Sequence, residues 1–138
     1  MPENEKTSIH VCVTCREAGD PIEAAVERKG ARLYRLLRQA AERRADPVVI
    51  LPVECLSVCR RPCTIGFSAP GKWTYVYGDF PADAPSAEAI LAAAALYGSA
   101  PDGLIPWKQR PQALRKGVVA RIPPLPHSML ADLPEAAE

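Results

Sequence analysis

Histidine is nearly missing from this chain of 138 residues: His10 and His127 are the only two. A Rieske-type centre would need both on one iron, and His127 falls in a proline-rich tail, so that centre is excluded. Charge of one sign is also missing. Seventeen Lys and Arg face sixteen Asp and Glu, and a net charge of +1 gives no global attraction to nucleic acid or to a membrane surface. Long apolar runs are absent. The longest, "AILAAAALY", falls well short of the roughly 20 residues that span a bilayer. The opening "MPENEKTSIH" has neither the basic nor the apolar region of a signal peptide, so a cytoplasmic location is expected. Paired carboxylates, a glycine-rich phosphate loop and a Ser-His-Asp set are not apparent either.

What is there is cysteine. The five residues make an odd number, and thiols in a reducing compartment do not build a disulfide framework. Metal or redox chemistry gains weight instead. The thiols fall in two groups, "VCVTC" at 11–15 and "VECLSVCRRPCTIGF" at 53–67. An apolar content of 48% and a charged content of 24% suit one globular domain with enough core to fold without staples.

Residues 1–7 read as a flexible lead. "SIHVCV" at 8–13 is a strand of β-branched residues. A loop with a helical turn at "IEAAVER" follows. "ARLYRLLRQAAERR" at 31–44 is the clearest helix, with Leu33, Leu36, Leu37, Ala40 and Ala41 on one stripe and Arg43 and Arg44 suited to its C-terminal end. The apolar run "DPVVILPVE" at 46–54 predicts a strand buried on both faces. Strand, helix and strand in this order predict a βαβ unit with parallel strands. "TIGFSA" and "KWTYVYGDF", joined at "PG", read as a hairpin whose Trp73, Tyr75 and Tyr77 share one packed face. Ser86 is the expected N-cap of a helix closed by Gly98. The element order is that of a thioredoxin-like α/β sandwich, β-α-β-β-β-α... with a four-stranded mixed sheet over residues 8–98. Residues 99–138 are rich in proline and read as an extended tail anchored by Leu104, Ile105 and Trp107, with mobility expected beyond about residue 126.

If the first two strands are parallel, Cys12 and Cys15 leave the first at the same sheet edge where Cys55 and Cys59 leave the second. Four thiolates at one edge can hold zinc or an iron–sulfur cluster. Structural zinc is the plainer choice by spacing. A redox dithiol at Cys12 and Cys15 is the third reading, although such a cysteine belongs at a helix N-terminus and here the strong helix begins about fifteen residues later. Pro62, just before a strand, sits where thioredoxins carry a cis-proline.

The cysteine after the first strand, the helix, "VVILPVECLSVC", the hairpin ending in "WTYVYGDF" and the last helix together resemble the thioredoxin-like, Shethna-type 2Fe–2S ferredoxins. "CLSVC" matches that group's turn after the second strand. The resemblance implies a small electron carrier, not an enzyme, that passes single electrons to a partner and pairs as a homodimer. By position it implies Cys12, Cys55 and Cys59 as ligands. The remaining ligand of that group lies about a dozen residues after the first, where this chain has no cysteine, so Cys15 is expected in its place, with Cys63 as substitute. The chain also resembles, over nearly its whole length, a bacterial family of small metal-binding proteins with a "CVTC", a "CLSVCRRPCT" and a tail like "DGLIPWKQRPQALRKGVVARIPP". That resemblance implies a link to cobalamin biosynthesis. A bound cluster would be anionic, so Arg16, Arg60 and Arg61 beside the cysteines are expected to offset its charge and to dock an acidic redox partner. The alternatives are a module for zinc or metal delivery and a thiol-disulfide oxidoreductase.

Overall fold

The computed structural model describes residues 6–16 and 28–124. Strand β1 (Thr7–Cys12) is followed by helix α1 (Lys29–Arg44), β2 (Val48–Val53), β3 (Ile65–Ser68), β4 (Thr74–Tyr77) and helix α2 (Ala84–Ser99). Two short 3-10 turns, η1 (Trp107–Gln109) and η2 (Gln112–Leu114), lead to β5 (Val118–Ile122). The strands form one mixed sheet in the order β2-β1-β3-β4-β5. The parallel pairing of β1 with β2 is the expected βαβ unit, with Cys12 opposite Val53. No helix among the described residues is long and apolar enough to cross a membrane. The flexible lead, the turn at "IEAAVER" and the mobile end beyond residue 126 lie largely or wholly outside the described residues.

Strand alternation builds the core. Ile9 pairs with Phe67 and Val11 with Ile65, while Ile65 pairs with Tyr77 and Phe67 with Tyr75. Paired residues share a face, so all of these side chains point the same way, and all are fully buried. Leu33 and Leu37 of α1 and Ile90, Leu91, Ala94 and Tyr97 of α2 cover them. Both helices pack against β1 and against each other, which makes a two-layer sandwich. Tyr75 stacks on Tyr77 at 5.5 Å between ring centroids, and Phe67 meets Tyr77 edge-on at 5.6 Å. Trp73 does not join them. It is half-buried, and the guanidinium of Arg121 lies over its ring at 5.1 Å.

Four details differ from the sequence expectation. The sheet has five strands, because residues 118–122 of the supposed tail pair antiparallel with β4. β2 is an edge strand, only half-buried, and Leu51 and Pro52 are exposed. Its Pro52 has no N–H to offer a neighbour, which an edge position tolerates. Asp83, not Ser86, caps α2: its side chain accepts the Ser86 N–H at 2.8 Å, and the helix continues through Gly98 to Ser99. The last carbonyls of α2 are met by Lys72, whose Nζ donates to Tyr97 and Gly98. Finally, Trp107 is no anchor of the extension, since it is 55% exposed. Ile105 and Leu114 are the buried anchors, and the Ile105 N–H donates to the Tyr75 hydroxyl at 3.2 Å.

Turn chemistry is local. Ala69-Pro70-Gly71-Lys72 closes the β3–β4 hairpin with the Lys72 N–H on Ala69 O, and Gly71 has φ 72°, the pattern of a type II turn.

Candidate metal centre

Because β1 and β2 run parallel, their carboxyl ends lie side by side, and the chain that follows each is stitched to its neighbours. The Val13 N–H donates to Val53 O at 2.9 Å, and the Cys12 N–H donates to Thr64 O at 3.1 Å. The Thr14 hydroxyl donates to Glu54 O. These bonds bring the loop carrying Cys15, the turn after β2 and the start of β3 to one end of the sheet. After β2 the chain turns sharply, with Ser57 in a left-handed conformation at φ 61°. That turn aims the Ser57 N–H at Cys55 Sγ, 3.1 Å away.

A pocket of about 360 Å³ opens at this end, lined by Cys12, Cys15, Cys59, Thr14, Arg16 and Arg28, with Val58 completing it. Cys12 and Cys15 are buried, whereas Cys55 and Cys59 are exposed. Cys55 stands outside the pocket lining, but its neighbour Leu56 sends its N–H to the Cys12 sulfur. Cys63 is fully buried in the hydrophobic core, and its N–H and C=O pair with the backbone of Phe80. The peptide bond in cis here joins Pro62 to Cys63, so the thioredoxin-type cis bond ahead of Pro62 is not what the chain adopts.

Electrostatics separate the two buried thiols. The Cys15 thiol hydrogen-bonds the Cys12 sulfur and, helped by the Thr14 hydroxyl and the N–H groups of Leu56 and Thr14, draws the Cys12 pKa down to about 5 against the cost of burial. Cys15 is raised, first because its proton is held by Cys12 and then by burial. The lowered value favours the Cys12 thiolate, and two of the donors behind it, the Leu56 and Thr14 N–H groups, are amides of the kind a metal-bound sulfur needs.

Helix α1 presses on the same loop. The Gly30 N–H donates to Cys15 O at 2.9 Å, and a Cβ on Gly30 would lie 2.1 Å from Cys12 O and 3.0 Å from Cys15 Cβ. So the strong helix does abut the cysteine loop, though it meets a carbonyl rather than a sulfur. Neither Gly30 nor Arg28 was singled out by sequence reasoning. The available signal was a glycine opening a helix, at "RKGA", where only a close backbone approach accounts for it. Arg28 donates to Thr14 O at 3.4 Å, and Lys29 Nζ donates to Pro62 O at 3.3 Å.

The three arginines expected at the site sit differently. Arg16 is exposed and lines the pocket. Arg60 is exposed on the turn. Arg61 is half-buried, bonded to Asp79 Oδ2 at 2.7 Å and to Gly117 O at 3.4 Å, which ties the cysteine turn to the C-terminal extension. Among the described residues, no group of three or more His, Cys, Asp or Glu is close enough to hold a single metal ion. The donor set nonetheless fits a thiolate-held group: three cysteines line one pocket, a fourth stands on the adjoining turn, and backbone N–H groups point at two of the sulfurs.

The family described as "Protein of unknown function (DUF1636)" matches residues 9–124, and the chain belongs to it. A comparison with curated protein sequences finds no match. Among solved structures, the chain is similar to a thioredoxin-like [2Fe-2S] ferredoxin from Aquifex aeolicus. That likeness has a TM-score of 0.56 at 16% identity and covers 90% of this chain and 99% of the other. The fold is therefore thioredoxin-like, with a fifth strand added to the sheet.

Proposed function

We propose that this member of the DUF1636 family is a small ferredoxin that holds one 2Fe–2S cluster on Cys12, Cys15, Cys55 and Cys59 and exchanges single electrons with a partner protein. The observation that carries the reading is the gathering of Cys12, Cys15 and Cys59 around one pocket at the carboxyl ends of two parallel strands, with Cys55 on the adjoining turn. The ferredoxin named in the fold comparison supports it. Cys63 is the weaker ligand, because it lies in the core and outside that pocket.

When bound, the cluster supplies a one-electron couple. The chain's own work is to hold and tune it. Cys12, with its pKa lowered to about 5, is the readiest of the four to bind as a thiolate. The N–H groups of Leu56, Thr14 and Ser57 offset negative charge on Cys12 and Cys55. Arg16 and Arg28 on the pocket walls add positive charge nearby, and exposed Arg60 is a contact for an acidic partner. The protein catalyses nothing alone in this reading. A homodimer and a place in cobalamin biosynthesis rest on family resemblance only.

The test is preparative. Anaerobically purified protein should be red-brown, carry iron and sulfide in about equal amounts and give an EPR signal when reduced. Replacing each cysteine by serine should deplete the cluster for four of the five, with Cys63→Ser retaining it. A colourless protein containing zinc would refute the assignment in favour of a metal-binding module. One observation favours a second reading. A lowered thiol hydrogen-bonded to a buried, raised partner three residues beyond it is the arrangement of a redox dithiol. A protein without iron that reduces insulin disulfides, and loses this on Cys12→Ser, would establish that reading.

A further inference from the structure

The C-terminal extension carries a charge pattern that the proposed electron carrier does not use. Residues 99–124 hold five cations, Lys108, Arg110, Arg115, Lys116 and Arg121, against one carboxylate, Asp102, whereas the rest of the chain holds twelve cations against fifteen carboxylates, of which Asp132, Glu135 and Glu138 follow in the same extension. A groove of about 450 Å³ lies between the turn at Gly78–Asp79 and η2, and Trp107, Arg115, Lys116 and Gly117 line it. Its single lining carboxylate, Asp79, is already paired with Arg61. Val119 is exposed, and its Cγ2 lies 3.5 Å from where a Cβ on Gly78 would stand, which sets it beside the groove. Trp107 is the most exposed large apolar residue described. The groove is fixed to the cysteine turn, since Arg61 bridges Asp79 and Gly117, and the Gly78 N–H donates to Gly117 O at 2.9 Å.

We propose that this groove, with Trp107, Arg115, Lys116 and Val119 at its surface, is the docking surface for an acidic face of a partner protein. An exposed tryptophan flanked by arginine is the residue pair that concentrates binding energy at protein interfaces. Among the described residues the one carboxylate lining the groove is Asp79, already paired, so the cations around Trp107 select an acidic partner. Nucleic acid fits less well. The Arg115 guanidinium lies over the Trp107 ring at 4.9 Å and covers one face on which a base would stack. Its Nε and Nη2 donate to Arg110 O and Lys108 O, which holds the guanidinium against that ring. That the partner is a redox protein rests on the electron-transfer reading, whereas the surface and its charge do not.

The test uses the full chain with Trp73→Phe, which leaves Trp107 as the only tryptophan. Deca-glutamate, deca-lysine and a ten-nucleotide thymidine strand are titrated while Trp107 fluorescence is followed. Deca-glutamate alone should perturb the emission at about 0.02 M salt and lose its effect by about 0.3 M. Lys108→Glu with Lys116→Glu should weaken that binding by about tenfold or more, and Arg38→Glu, exposed on α1 at the opposite edge of the sheet, should leave it unchanged. Both lysines are exposed, so the double variant should fold. The proposal is overturned if deca-glutamate does not bind, if the lysine variant binds it equally, or if the oligonucleotide binds more tightly. None of these readouts needs an iron–sulfur cluster, so they stand whatever the iron and sulfide analysis gives.

Discussion

Replacing Gly30 with alanine puts one methyl group against the backbone of the cysteine loop. The added Cβ would lie 2.1 Å from Cys12 O, whereas ordinary contact begins near 3.4 Å. The obstacle is a carbonyl that sits in the sheet's hydrogen-bonding frame, not a flexible side chain, so helix and loop must part by about 1 Å, a movement of the size that costs roughly 1–3 kcal/mol in packed interiors. Alanine in a helix returns up to about 1 kcal/mol relative to glycine. The net expectation is a loss of about 1–2 kcal/mol, which for a domain of this size lowers Tm by roughly 3–8 °C. Gly98→Ala is the internal control. It also lies in a helix, but its Cβ would meet only the hydroxyl of Thr7 at 3.3 Å, so it should be neutral or slightly stabilising. Thermal unfolding of both variants by circular dichroism reads the difference, and iron per chain should fall in Gly30→Ala alone. A Gly30→Ala protein as stable as the parent would refute the argument that α1 is pressed onto the loop.

Two further outcomes follow from the same geometry. In metal-free protein Cys12, with its pKa lowered from 9.0 to about 5, contributes stability that is complete above the ordinary thiol value and is lost as pH falls toward 5. Cys15, raised, contributes stability that is present below that value and lost as pH climbs above it. Stability should therefore rise between about pH 5 and pH 9 and then turn over, and thiolate absorbance near 240 nm should show one step close to pH 5. Absence of any thiolate below pH 7 would exclude the Cys12–Cys15 hydrogen bond. Separately, the fully buried Tyr77 hydroxyl has no hydrogen-bond partner among the described residues. Tyr77→Phe should raise stability by about 1 kcal/mol in a denaturant titration, and a loss of similar size would mean the hydroxyl is satisfied.

The βαβ unit was legible because the apolar stripe of α1 and the two flanking β-branched runs leave few alternatives, and the meeting of the two cysteine groups followed from it. The position of β2 at the edge was not. "VVILPV" has the unbroken apolar texture of a doubly buried strand, and the one residue that marks an edge is Pro52. The cap at Asp83 was hidden by attention to Ser86, although proline two residues after an aspartate is itself a helix-start signal. β5 is short and followed directly by Pro123 and Pro124, so its pairing depends on an edge of β4 that only the folded hairpin provides. The burial of Cys63 depends on Phe80, seventeen residues later, and no local pattern announces that contact.

The fifth strand also sets a timetable. β4 ends at Tyr77 and its partner ends at Ile122, so the two are separated by some forty residues of chain. At about 5–20 residues per second a ribosome takes a few seconds to close that gap. In that interval the nascent sheet already has its cysteine turn and the edge of β4, but nothing to pair with the latter. An unpaired edge beside buried tyrosines is an aggregation hazard. The extension that supplies β5 therefore acts late in biogenesis as a seal, and the slow step of folding is expected to be its arrival rather than the assembly of the cysteine pocket.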